Sequence, residues 1–433
     1  MTTLQTTPLS VLDEFYLHLD RDDEPWSVHL EIEVEGTIDE GRLADAVREA
    51  ALKHPLARAR LADSRGTDVR YRWEIFDELD DVPLVVVDDD DLPHAREELL
   101  GRTPPLDRPG PFELLLAHRP GGDSLVMNLH HAAGDGLSAV RLMASIARAY
   151  AGVDDPLPDD VEPLLARDIP AMVGSRSVGD RLKRSRAALE YLTRGTARPA
   201  RIAPDGESDA AGYGFELVKL DAAAMKEVVG HRREGATVND VLLAGLAITV
   251  RDWNDRHDAQ TGSAYITMPI NLRPPEWRYE VVGNYASYVS VHLSGDDLTD
   301  LDSAVAAAAQ KTQRIKDEGV AGLIIDMFEA PTVLPTAIKK RLQTLIPLTG
   351  NLAVDTAALS NLGRLESVPD LGEAGPVKAV WFSPPGRMPL GVSLGVATLG
   401  DELFLTLRYR FSQFDAGAAA EFASLFKRVL VGR

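Results

Sequence analysis

The sequence contains no cysteine in its 433 residues. The protein therefore cannot form a disulfide, bind zinc through thiolates or use a cysteine nucleophile. It also has no run of about 18 apolar residues, so we expect no transmembrane segment. The first residues, MTTLQTTPLS, lack the basic start and the apolar stretch of a secretory signal. These absences together predict a soluble, cytoplasmic protein.

Positive charge is scarce, because 46 Lys and Arg residues face 67 Asp and Glu residues and the formal net charge is −21. A field of this sign repels nucleic acid and anionic membranes, so we expect no nucleic-acid partner. One segment, between Arg167 and Arg201, reverses the sign locally. Its basic residues are Arg176, Arg181, Lys183, Arg184, Arg186, Arg194 and Arg198. This segment predicts either a binding site for an anionic partner, with Arg181, Lys183 and Arg184 as candidate contacts, or a solvated basic helix.

The length predicts two domains, and an apolar content of 45% is enough for sizeable cores. Strand and helix patterns occur in similar proportion in both halves, which predicts a mixed α/β (α+β) fold. A stretch rich in proline, arginine and small residues separates the halves. We therefore predict an N-terminal domain over residues 1–165, a basic connecting segment over 166–205 and a C-terminal domain over 206–433.

Periodicity and turn residues predict individual elements along both halves. Helices are predicted for a segment capped near Ser10, for 39–54, 137–150, a segment before Gly235, 238–252 and 416–431. Strands are predicted for 26–34, 112–117, 124–129, 214–220, 264–268, 287–293, 390–398 and 403–411. The acidic run 88–91 is predicted to be a solvated loop.

The main chemical signal is the segment from His130 to Gly136, HHAAGDG. It lies between a predicted strand and a predicted helix, so it is a loop at a strand end. Neighbouring side chains on extended backbone point to opposite faces, so one of His130 and His131 can face a cavity while the other packs inward. Imidazole is the side chain best suited to accept a proton near neutral pH. Gly134 and Gly136 permit a tight bend, and Asp135 can pair with a cation.

Two other interpretations of this segment stay open. Both histidines can be structural, which is a common outcome for any single His. The two histidines and Asp135 could also be ligands of zinc or iron. Neighbouring residues on a strand rarely converge on one ion, however, and no third histidine lies close by in the sequence. We therefore predict no metal site.

A second motif, GVSLG at 391–395, matches the G-x-S-x-G pattern of serine hydrolases. That pattern requires a strand, a sharp turn and a helix, whereas Ser393 lies inside an alternating run that continues as strand. The last histidine of the sequence is His292, so none follows the serine as those hydrolases require. Ser393 is therefore interpreted as an ordinary strand residue.

The HHAAGDG segment resembles the HHxxxDG motif of the condensation-domain-like acyltransferases. That superfamily includes nonribosomal peptide condensation domains, wax ester synthase/diacylglycerol acyltransferases and polyketide-associated acyltransferases. Further resemblances follow in the family's order and span nearly the whole chain. They are PLSVLD at 8–13, HPLARARL at 54–61, TVNDVLL at 237–243, PINLRP at 269–274 followed by Gly283-Asn284, and SNLG at 360–363.

The resemblance implies two chloramphenicol-acetyltransferase-like domains in a V-shaped pseudo-dimer. A central tunnel lies between the domains, and the donor and the acceptor meet there at His131. His130 and Asp135 are then structural residues of the catalytic motif that Gly136 completes. The resemblance also implies that Asp135 pairs with an arginine of the second domain. Arg273 is the candidate, since it follows an apolar strand and a surface charge is the less favoured interpretation.

The resemblance names four more candidate site residues. Ser360 and Asn361 are candidates for stabilising an oxyanion, and a polar turn without such a role is the alternative. Asn271 and Asn284 belong to the segment that lines the second domain's side of the tunnel, so they are candidate substrate-binding residues.

The activity implied is acyl transfer from a thioester to a hydroxyl or an amine, with His131 as general base and no acyl-enzyme. No bound cofactor is expected, and acyl-coenzyme A is the expected co-substrate, with its phosphates at the basic segment. One alternative is an acyl carrier protein as donor, in a condensation-type reaction carried out in trans in natural-product biosynthesis. Another is a non-catalytic relative that binds an acylated ligand, although the presence of both His131 and Asp135 argues against it. The family is often monomeric, so a monomer is expected.

Overall fold

The computed structural model describes residues 2–159, 161–173, 177, 179, 182, 199–206, 212–277, 280–345, 354–365, 370–386 and 390–432. The predicted substrate contacts Arg181, Lys183 and Arg184 lie outside the described residues, and so does most of the basic segment around them. In the described part of the chain, no helix combines the length and the apolar character needed to cross a membrane.

Strands and helices are mixed in both halves of the chain. The strands are β1 (Thr3–Pro8), β2 (Ser27–Val34), β3 (Ala59–Leu61), β4 (Arg72–Phe76), β5 (Leu84–Asp88), β6 (Phe112–His118), β7 (Ser124–His130), β8 (Tyr213–Leu220), β9 (Ala264–Asn271), β10 (Ala286–Leu293), β11 (Ala357–Arg364), β12 (Val377–Ser383), β13 (Val392–Leu399) and β14 (Glu402–Arg410). The helices are α1 (Val11–Leu19), α2 (Glu40–Lys53), α3 (Leu92–Leu100), α4 (Gly136–Ala151), α5 (Ile169–Val173), α6 (Ala222–Gly230), α7 (Val238–Arg256), α8 (Leu301–Asp317), α9 (Val320–Glu329), α10 (Thr336–Leu345) and α11 (Ala416–Val431).

These strands form three sheets. The largest has the order β10-β9-β11-β13-β14-β8, the second has the order β12-β2-β7-β6-β5, and the smallest has the order β1-β4-β3. Most neighbours are antiparallel, but β5 pairs with β6 in parallel, and β11 is parallel to both β13 and β9. Helices pack against these sheets. The fold is therefore mixed α/β, as the sequence predicts.

One strand from the second half of the sequence completes the sheet of the first half. The edge strand β12 pairs antiparallel with β2. The hydrophobic core around this sheet accordingly includes Tyr285, Leu362 and Phe382 together with Leu129. The two halves of the chain thus share a core next to the loop of the two histidines. The domain boundaries given above stay a prediction.

Polar side chains fix the starts of the helices that flank this loop. Ser10 and Asp13 form a capping box at α1, in which each side chain accepts from the other residue's backbone N–H, at 3.1 and 3.0 Å. Asp135 caps α4, where its carboxylate accepts from the N–H of Ser138 at 3.0 Å. Each such cap contributes about 1 kcal/mol to helix stability. The residues that define these helix ends are therefore also residues of the site described below.

The predicted helices and strands are confirmed, most with ends shifted by a few residues. The acidic run 88–91 lies between β5 and α3 as a turn, except that Asp88 still belongs to the strand. Several elements were not predicted, among them the edge strand β5, the helices of residues 301–345 and the strands β11 and β12. Ser393 lies inside β13 and its hydroxyl donates to the main-chain oxygen of Pro385 at 3.2 Å, as expected of an ordinary strand residue.

Candidate active site

The loop of the two histidines connects β7 to α4. β7 ends at His130, which lies opposite Ser27 of β2. The N–H of His131 donates to the main-chain oxygen of Trp26 at 3.0 Å, so the pairing with β2 continues one residue beyond the strand. Gly136 then begins α4. The loop is thus held by the sheet on one side and by the helix on the other.

Close packing explains the two glycines of this loop. A Cβ added to Gly136 would lie 2.8 Å from side-chain carbons of Leu362 and Phe382. A Cβ added to Gly134 would lie 2.8 Å from the Cβ of Ser138. Neither glycine has a positive φ angle. The glycines are therefore required by the approach of β11, β12 and α4, and not by the tight bend that the sequence suggested.

Asn284 determines the tautomer of His131. Its Nδ2 donates to Oδ1 of Asp13 at 3.1 Å and to the main-chain oxygen of Ala132 at 2.9 Å. Because both amide hydrogens are used, the atom of Asn284 that faces Nδ1 of His131, 3.3 Å away, is an oxygen that can only accept. Nδ1 therefore carries the proton, and Nε2 keeps the lone pair of a base.

The basic nitrogen of His131 faces the hydroxyl of Tyr288. The distance from Nε2 to that hydroxyl oxygen is 3.4 Å. Tyr16 stacks on the imidazole with ring centroids 3.8 Å apart, and its own hydroxyl donates to the main-chain oxygen of Ala286 at 2.8 Å. Burial raises the pKa of both tyrosine hydroxyls. The hydroxyls of Tyr16 and Tyr288 therefore stay protonated and can donate hydrogen bonds.

The imidazole of His131 is uncharged at neutral pH. Only 4% of its surface is exposed. Burial lowers the pKa of His131 from 6.5 to about 4, although a backbone hydrogen bond, the charge of Asp135 and the bond to Asn284 act in the opposite direction. A general base must be unprotonated to act, so this environment keeps the ring in the form that a base requires.

Asn284 is hydrogen-bonded to a buried ion pair, formed by Asp13 and Arg167. The carboxylate of Asp13 pairs with Arg167 and accepts from the indole N–H of Trp73 at 3.1 Å. Burial by itself raises the pKa of Asp13, but the charge of Arg167 and hydrogen bonds from Ser10 outweigh it, so the pKa is lowered. Asp13 is therefore ionised and holds the amide of Asn284 in one orientation.

Asp135 joins the two halves of the chain. Its carboxylate oxygens lie 2.7 and 2.8 Å from the two terminal nitrogens of Arg273, which is the ion pair that the family resemblance implies. The carboxylate also accepts from the N–H of Tyr285 at 2.9 Å. Arg273 donates in addition to the main-chain oxygens of Val281 and Gly283, at 3.2 and 3.1 Å. The pair therefore fixes the start of α4 to the segment that precedes β10.

The geometry makes Asp135 a structural anchor and not a proton acceptor. Burial raises its pKa, but the charge and hydrogen bonds of Arg273, together with the N–H groups of Tyr285 and Ser138, outweigh burial and lower it. Both oxygens of the carboxylate are engaged by these donors. Asp135 thus stays ionised, and its charge favours the protonated form of the nearby His131.

His130 points away from the cavity that His131 reaches. Its Nδ1 accepts from the N–H of Ala132 at 3.1 Å, and its Nε2 lies 3.5 Å from a carboxylate oxygen of Asp20. The two rings diverge, so they do not share a metal ion. Within the residues that the structure describes, no group of three or more His, Cys, Asp or Glu side chains could hold one.

A cavity of about 250 Å³ opens at His131. Much of its wall is apolar, with contributions from Phe15, Leu19, Trp26, Val28, Pro269, Ala358, Leu359, Phe382 and Leu390. Its polar atoms come from few side chains, including His131, Tyr288, Ser360, Thr267 and Asp355. A small apolar cavity with a neutral imidazole in its wall can hold a hydrophobic substrate and keep water from the reacting atoms.

The two candidate oxyanion residues are placed differently. Ser360, on β11, lines the cavity and is 9% exposed. Asn361 is not a lining residue, and its side-chain oxygen accepts from the N–H of Gly363 at 2.8 Å. Of this pair, only Ser360 therefore has direct access to a bound substrate.

The two asparagines predicted to bind substrate make their contacts with other residues of the site. Asn271 accepts from the backbone N–H and from the guanidinium of Arg273, both at 3.2 Å. Asn284 contacts His131 directly, as described above. Neither residue lines the cavity. The structure thus places both asparagines in contact with other site residues rather than with the cavity.

Three further site residues escaped the sequence analysis: Asp13, Tyr16 and Tyr288. Asp13 and Tyr16 are three residues apart on α1, so they share one face of that helix. Tyr288 shares a face of β10 with Ala286. These spacings could have grouped the residues on their own elements. They could not have shown that both elements meet at His131, because that depends on contacts between distant parts of the chain.

Solved structures similar to this chain include domains of natural-product synthetases. The first condensation domain of the CDA synthetase has a TM-score of 0.75 and 15% identity, over 99% of this chain and 97% of that chain. A mutant of the starter condensation domain of rhizomide synthetase RzmA, in complex with C8-CoA and Leu-SNAC, has a TM-score of 0.69 and 17% identity, over 99% and 95%. The epimerization domain from the third module of tyrocidine synthetase B has a TM-score of 0.67 and 16% identity, over 99% and 96%. The chain therefore has the two-lobed condensation-domain fold.

Sequence comparison gives a narrower relationship. No family model matches the sequence. Its relatives include two proteins of Mycobacterium tuberculosis, Uncharacterized protein MT2362 of strain CDC 1551 / Oshkosh and Uncharacterized protein Rv2305 of strain ATCC 25618 / H37Rv. Each is 39% identical to this chain over 435 residues, which is 99% of this chain and 99% of the relative. The chain therefore belongs to the same protein family as these two mycobacterial proteins.

Proposed function

We propose that this protein is a condensation-type acyltransferase that moves an acyl group from a thioester to a hydroxyl or an amine, with His131 as general base. The observation that carries the proposal is the state of His131. Its ring is neutral, its Nδ1 proton is hydrogen-bonded to Asn284, and its Nε2 faces Tyr288 in the cavity wall. The shared fold supports the proposal, since one of the similar condensation domains was solved with C8-CoA and Leu-SNAC.

In the proposed reaction the acceptor's hydroxyl or amine occupies the position next to Nε2 of His131. Nε2 takes the proton from this hydroxyl or amine while the oxygen or nitrogen of the acceptor attacks the thioester carbonyl carbon. The imidazolium is stabilised by Asn284, which accepts from Nδ1, and by the charge of Asp135, since both favour the protonated ring. Collapse of the tetrahedral intermediate breaks the C–S bond, and the imidazolium returns the proton to the thiolate. The cavity contributes by holding both substrates in line.

The negative charge on the carbonyl oxygen requires a hydrogen-bond donor. Tyr288 and Ser360 both bring a hydroxyl to the cavity wall. The hydroxyl of Tyr288 lies 3.4 Å from Nε2 of His131. It can therefore reach the carbonyl oxygen of a thioester that is attacked by an acceptor hydrogen-bonded to Nε2. We assign the main oxyanion role to Tyr288 and a secondary one to Ser360.

The proposed donor is acyl-coenzyme A, and an acyl carrier protein acting in trans is the alternative. Both donors are acidic, so a chain with a net charge of −21 repels them except at a local basic segment. We propose the connecting segment 166–205 as the place where either donor is received. We also propose kinship with the wax ester synthase and polyketide-associated branch, because TVNDVLL at 237–243 resembles a helix of the wax synthase branch. This segment forms the start of α7, with Thr237 as its N-cap. A monomer without bound cofactor or metal is part of the proposal.

The proposal is tested by release of free thiol from a panel of acyl-coenzyme A thioesters with candidate alcohols and amines. A chromogenic disulfide reports the thiol, and the protein adds no background because it has no cysteine. We expect acceptor-dependent release that falls by about 10²–10⁴-fold in His131→Ala. The matched control is His94→Ala, an exposed histidine, which should keep the wild-type rate.

Two other outcomes are informative. Release that persists in His131→Ala overturns the role of His131. Release with an acylated carrier protein, but with none of the coenzyme A thioesters, keeps the reaction and replaces the donor by the alternative. Failure of both donors with every acceptor contradicts the acyltransferase proposal.

A further inference from the structure

A carboxylate lies in the wall of the same cavity, apart from the machinery around His131. Asp355 precedes β11 and lines the cavity together with Thr267. One of its carboxylate oxygens accepts from the hydroxyl of Thr267 at 2.7 Å. The side chain of Ser290 also acts on this carboxylate, since it lowers the pKa of Asp355. Thr267 and Ser290 lie opposite each other in the pairing of β9 with β10. The hydroxyl of Thr267 therefore holds the carboxylate at a defined point of the sheet.

Among the residues that the structure describes, Arg201 is a cation whose charge acts on this carboxylate. Arg201 directs one terminal nitrogen to the main-chain oxygens of Val354 and Asp355, each 3.0 Å away. Burial raises the pKa of Asp355, and the opposing effects of Thr267, Ser290 and the charge of Arg201 do not cancel the rise. A half-buried carboxylate of this kind is stabilised when a cation binds it.

The position of Asp355 relative to the base follows from β10. Tyr288 and Ser290 are two residues apart on this strand, so they lie on the same face and roughly 7 Å apart. The hydroxyl of Tyr288 lies next to Nε2 of His131. Ser290 lies opposite Thr267, which binds Asp355, and acts on Asp355 itself. A molecule whose nucleophile lies at Nε2 can therefore extend along the strand and place a second group, a few bonds away, at Asp355.

We infer that the acceptor carries a protonated amine in addition to its nucleophile, and that Asp355 binds this amine. The inference rests on the proposed acyltransferase function and narrows its acceptor to amino alcohols and diamines. An ammonium group provides three N–H donors and a positive charge, which neutral hydroxyls do not provide. An acceptor with a hydrocarbon group at this position would remove water from the half-buried carboxylate without supplying a cation, which costs free energy.

A matched pair of acceptors tests the inference: 4-amino-1-butanol and 1-pentanol, which differ in having an ammonium or a methyl group at the far end. With wild-type protein we expect kcat/KM to be about 10–100-fold higher for 4-amino-1-butanol. The product should be the ester, because the amine is bound at Asp355. Equal rates for the two alcohols, or acylation of the amine in place of the hydroxyl, would overturn the inference.

Two variants test whether Asp355 causes the preference for the amino alcohol. Asp355→Asn keeps the shape of the side chain and removes its charge, so we expect the two acceptors to become equivalent within about threefold, the limit set by the uncharged contacts that remain. Asp401→Asn is the control, since its carboxylate is 84% exposed, and it should keep the wild-type preference. A preference that survives in Asp355→Asn contradicts the assignment to Asp355. Thermal melting shows whether both variants are folded.

Calorimetric titration of the wild-type protein with each alcohol, without any acyl donor, separates this inference from the proposed function. Tighter binding of 4-amino-1-butanol than of 1-pentanol, without acyl transfer to either, would retain the amine site and reject the acyltransferase proposal. Acyl transfer to both alcohols, with equal binding of the two, would retain the acyltransferase proposal and reject the amine site. Because this titration needs no variant, it decides the question even where Asp355→Asn does not fold.

Discussion

The side-chain oxygen of Asn284 lies 3.3 Å from Nδ1 of His131, and this contact determines which ring nitrogen is the base. The amide of Asn284 cannot turn over without losing its two hydrogen bonds to Asp13 and to the main chain of Ala132. The orientation of the ring is therefore set from α1 and from the segment before β10, neither of which is close to His131 in sequence. A residue that positions a base in this way should affect the chemical step more than substrate binding.

Asn284→Ala should lower kcat by about 10–100-fold with little change in KM, because Nδ1 loses the acceptor that fixes the tautomer. Steady-state kinetics in the thiol-release assay gives both parameters. The matched control is Asn271→Ala, since Asn271 contacts Arg273 and not His131. A KM effect without a kcat effect would show that Asn284 binds substrate, as the sequence suggested.

Asn284→Asp gives a second readout for the same contact. A carboxylate next to Nδ1 favours the protonated ring, so it should raise the pKa of His131 above its value of about 4 in the native protein. The acid limb of the pH–rate profile should then move to higher pH. An unchanged profile would mean that residue 284 does not communicate with the base.

The native pH profile is itself a prediction. Burial lowers the pKa of His131 from 6.5 to about 4, and a base is active above its pKa. The value of kcat/KM should therefore stay constant as the pH is lowered from 8 through 6.5 to about 5.5, where an ordinary histidine would already be mostly protonated. A midpoint near 6.5 would show that the ring is solvated in the free enzyme.

The sequence names both His131 and Asn284 as candidate site residues but does not show that they are in contact, and the reason is physical. Local alternation at the end of a strand shows that His130 and His131 face opposite sides, because it depends on adjacent residues only. Asn284 is 153 residues away, and its role depends on a tertiary contact that no periodicity reports. Some missed strands have a different cause. Most residues of β11 and β12 are buried, so the apolar-polar alternation that identifies half-exposed strands is weak or absent.

Loss of either member of the Asp135–Arg273 pair should destabilise the protein by about 3–5 kcal/mol, because the remaining charge is buried without its partner. Denaturant unfolding of Asp135→Asn and Arg273→Met measures this change in the free energy of unfolding. The double variant should be less unstable than the sum of the two, since it leaves neither charge behind.

The pair of Arg48 and Asp45 is the control for that experiment. Both side chains are largely exposed, at 46% and 81%, so Asp45→Asn should have almost no effect on the unfolding midpoint. Additive effects of the Asp135 and Arg273 substitutions would contradict the direct pairing. Preserved stability with lost activity would instead favour a direct role of Asp135 in the chemistry.

Tyr288→Phe tests the oxyanion assignment. The hydroxyl of Tyr288 can donate either to Nε2 of His131, 3.4 Å away, or to a substrate oxygen held at that place. If it stabilises the charge that develops during attack, its removal should lower kcat by about 10²–10³-fold and leave KM nearly unchanged. Tyr16→Phe is the comparison, because the ring still stacks on His131 and the hydroxyl of Tyr288 stays in place, while the contacts of the Tyr16 hydroxyl with Ala286 and Tyr288 are lost. Its effect on kcat should therefore be much smaller. A lower KM and an unchanged kcat in Tyr288→Phe would mean that the hydroxyl only occupies the position of the acceptor until the acceptor displaces it, and the oxyanion role would then pass to Ser360.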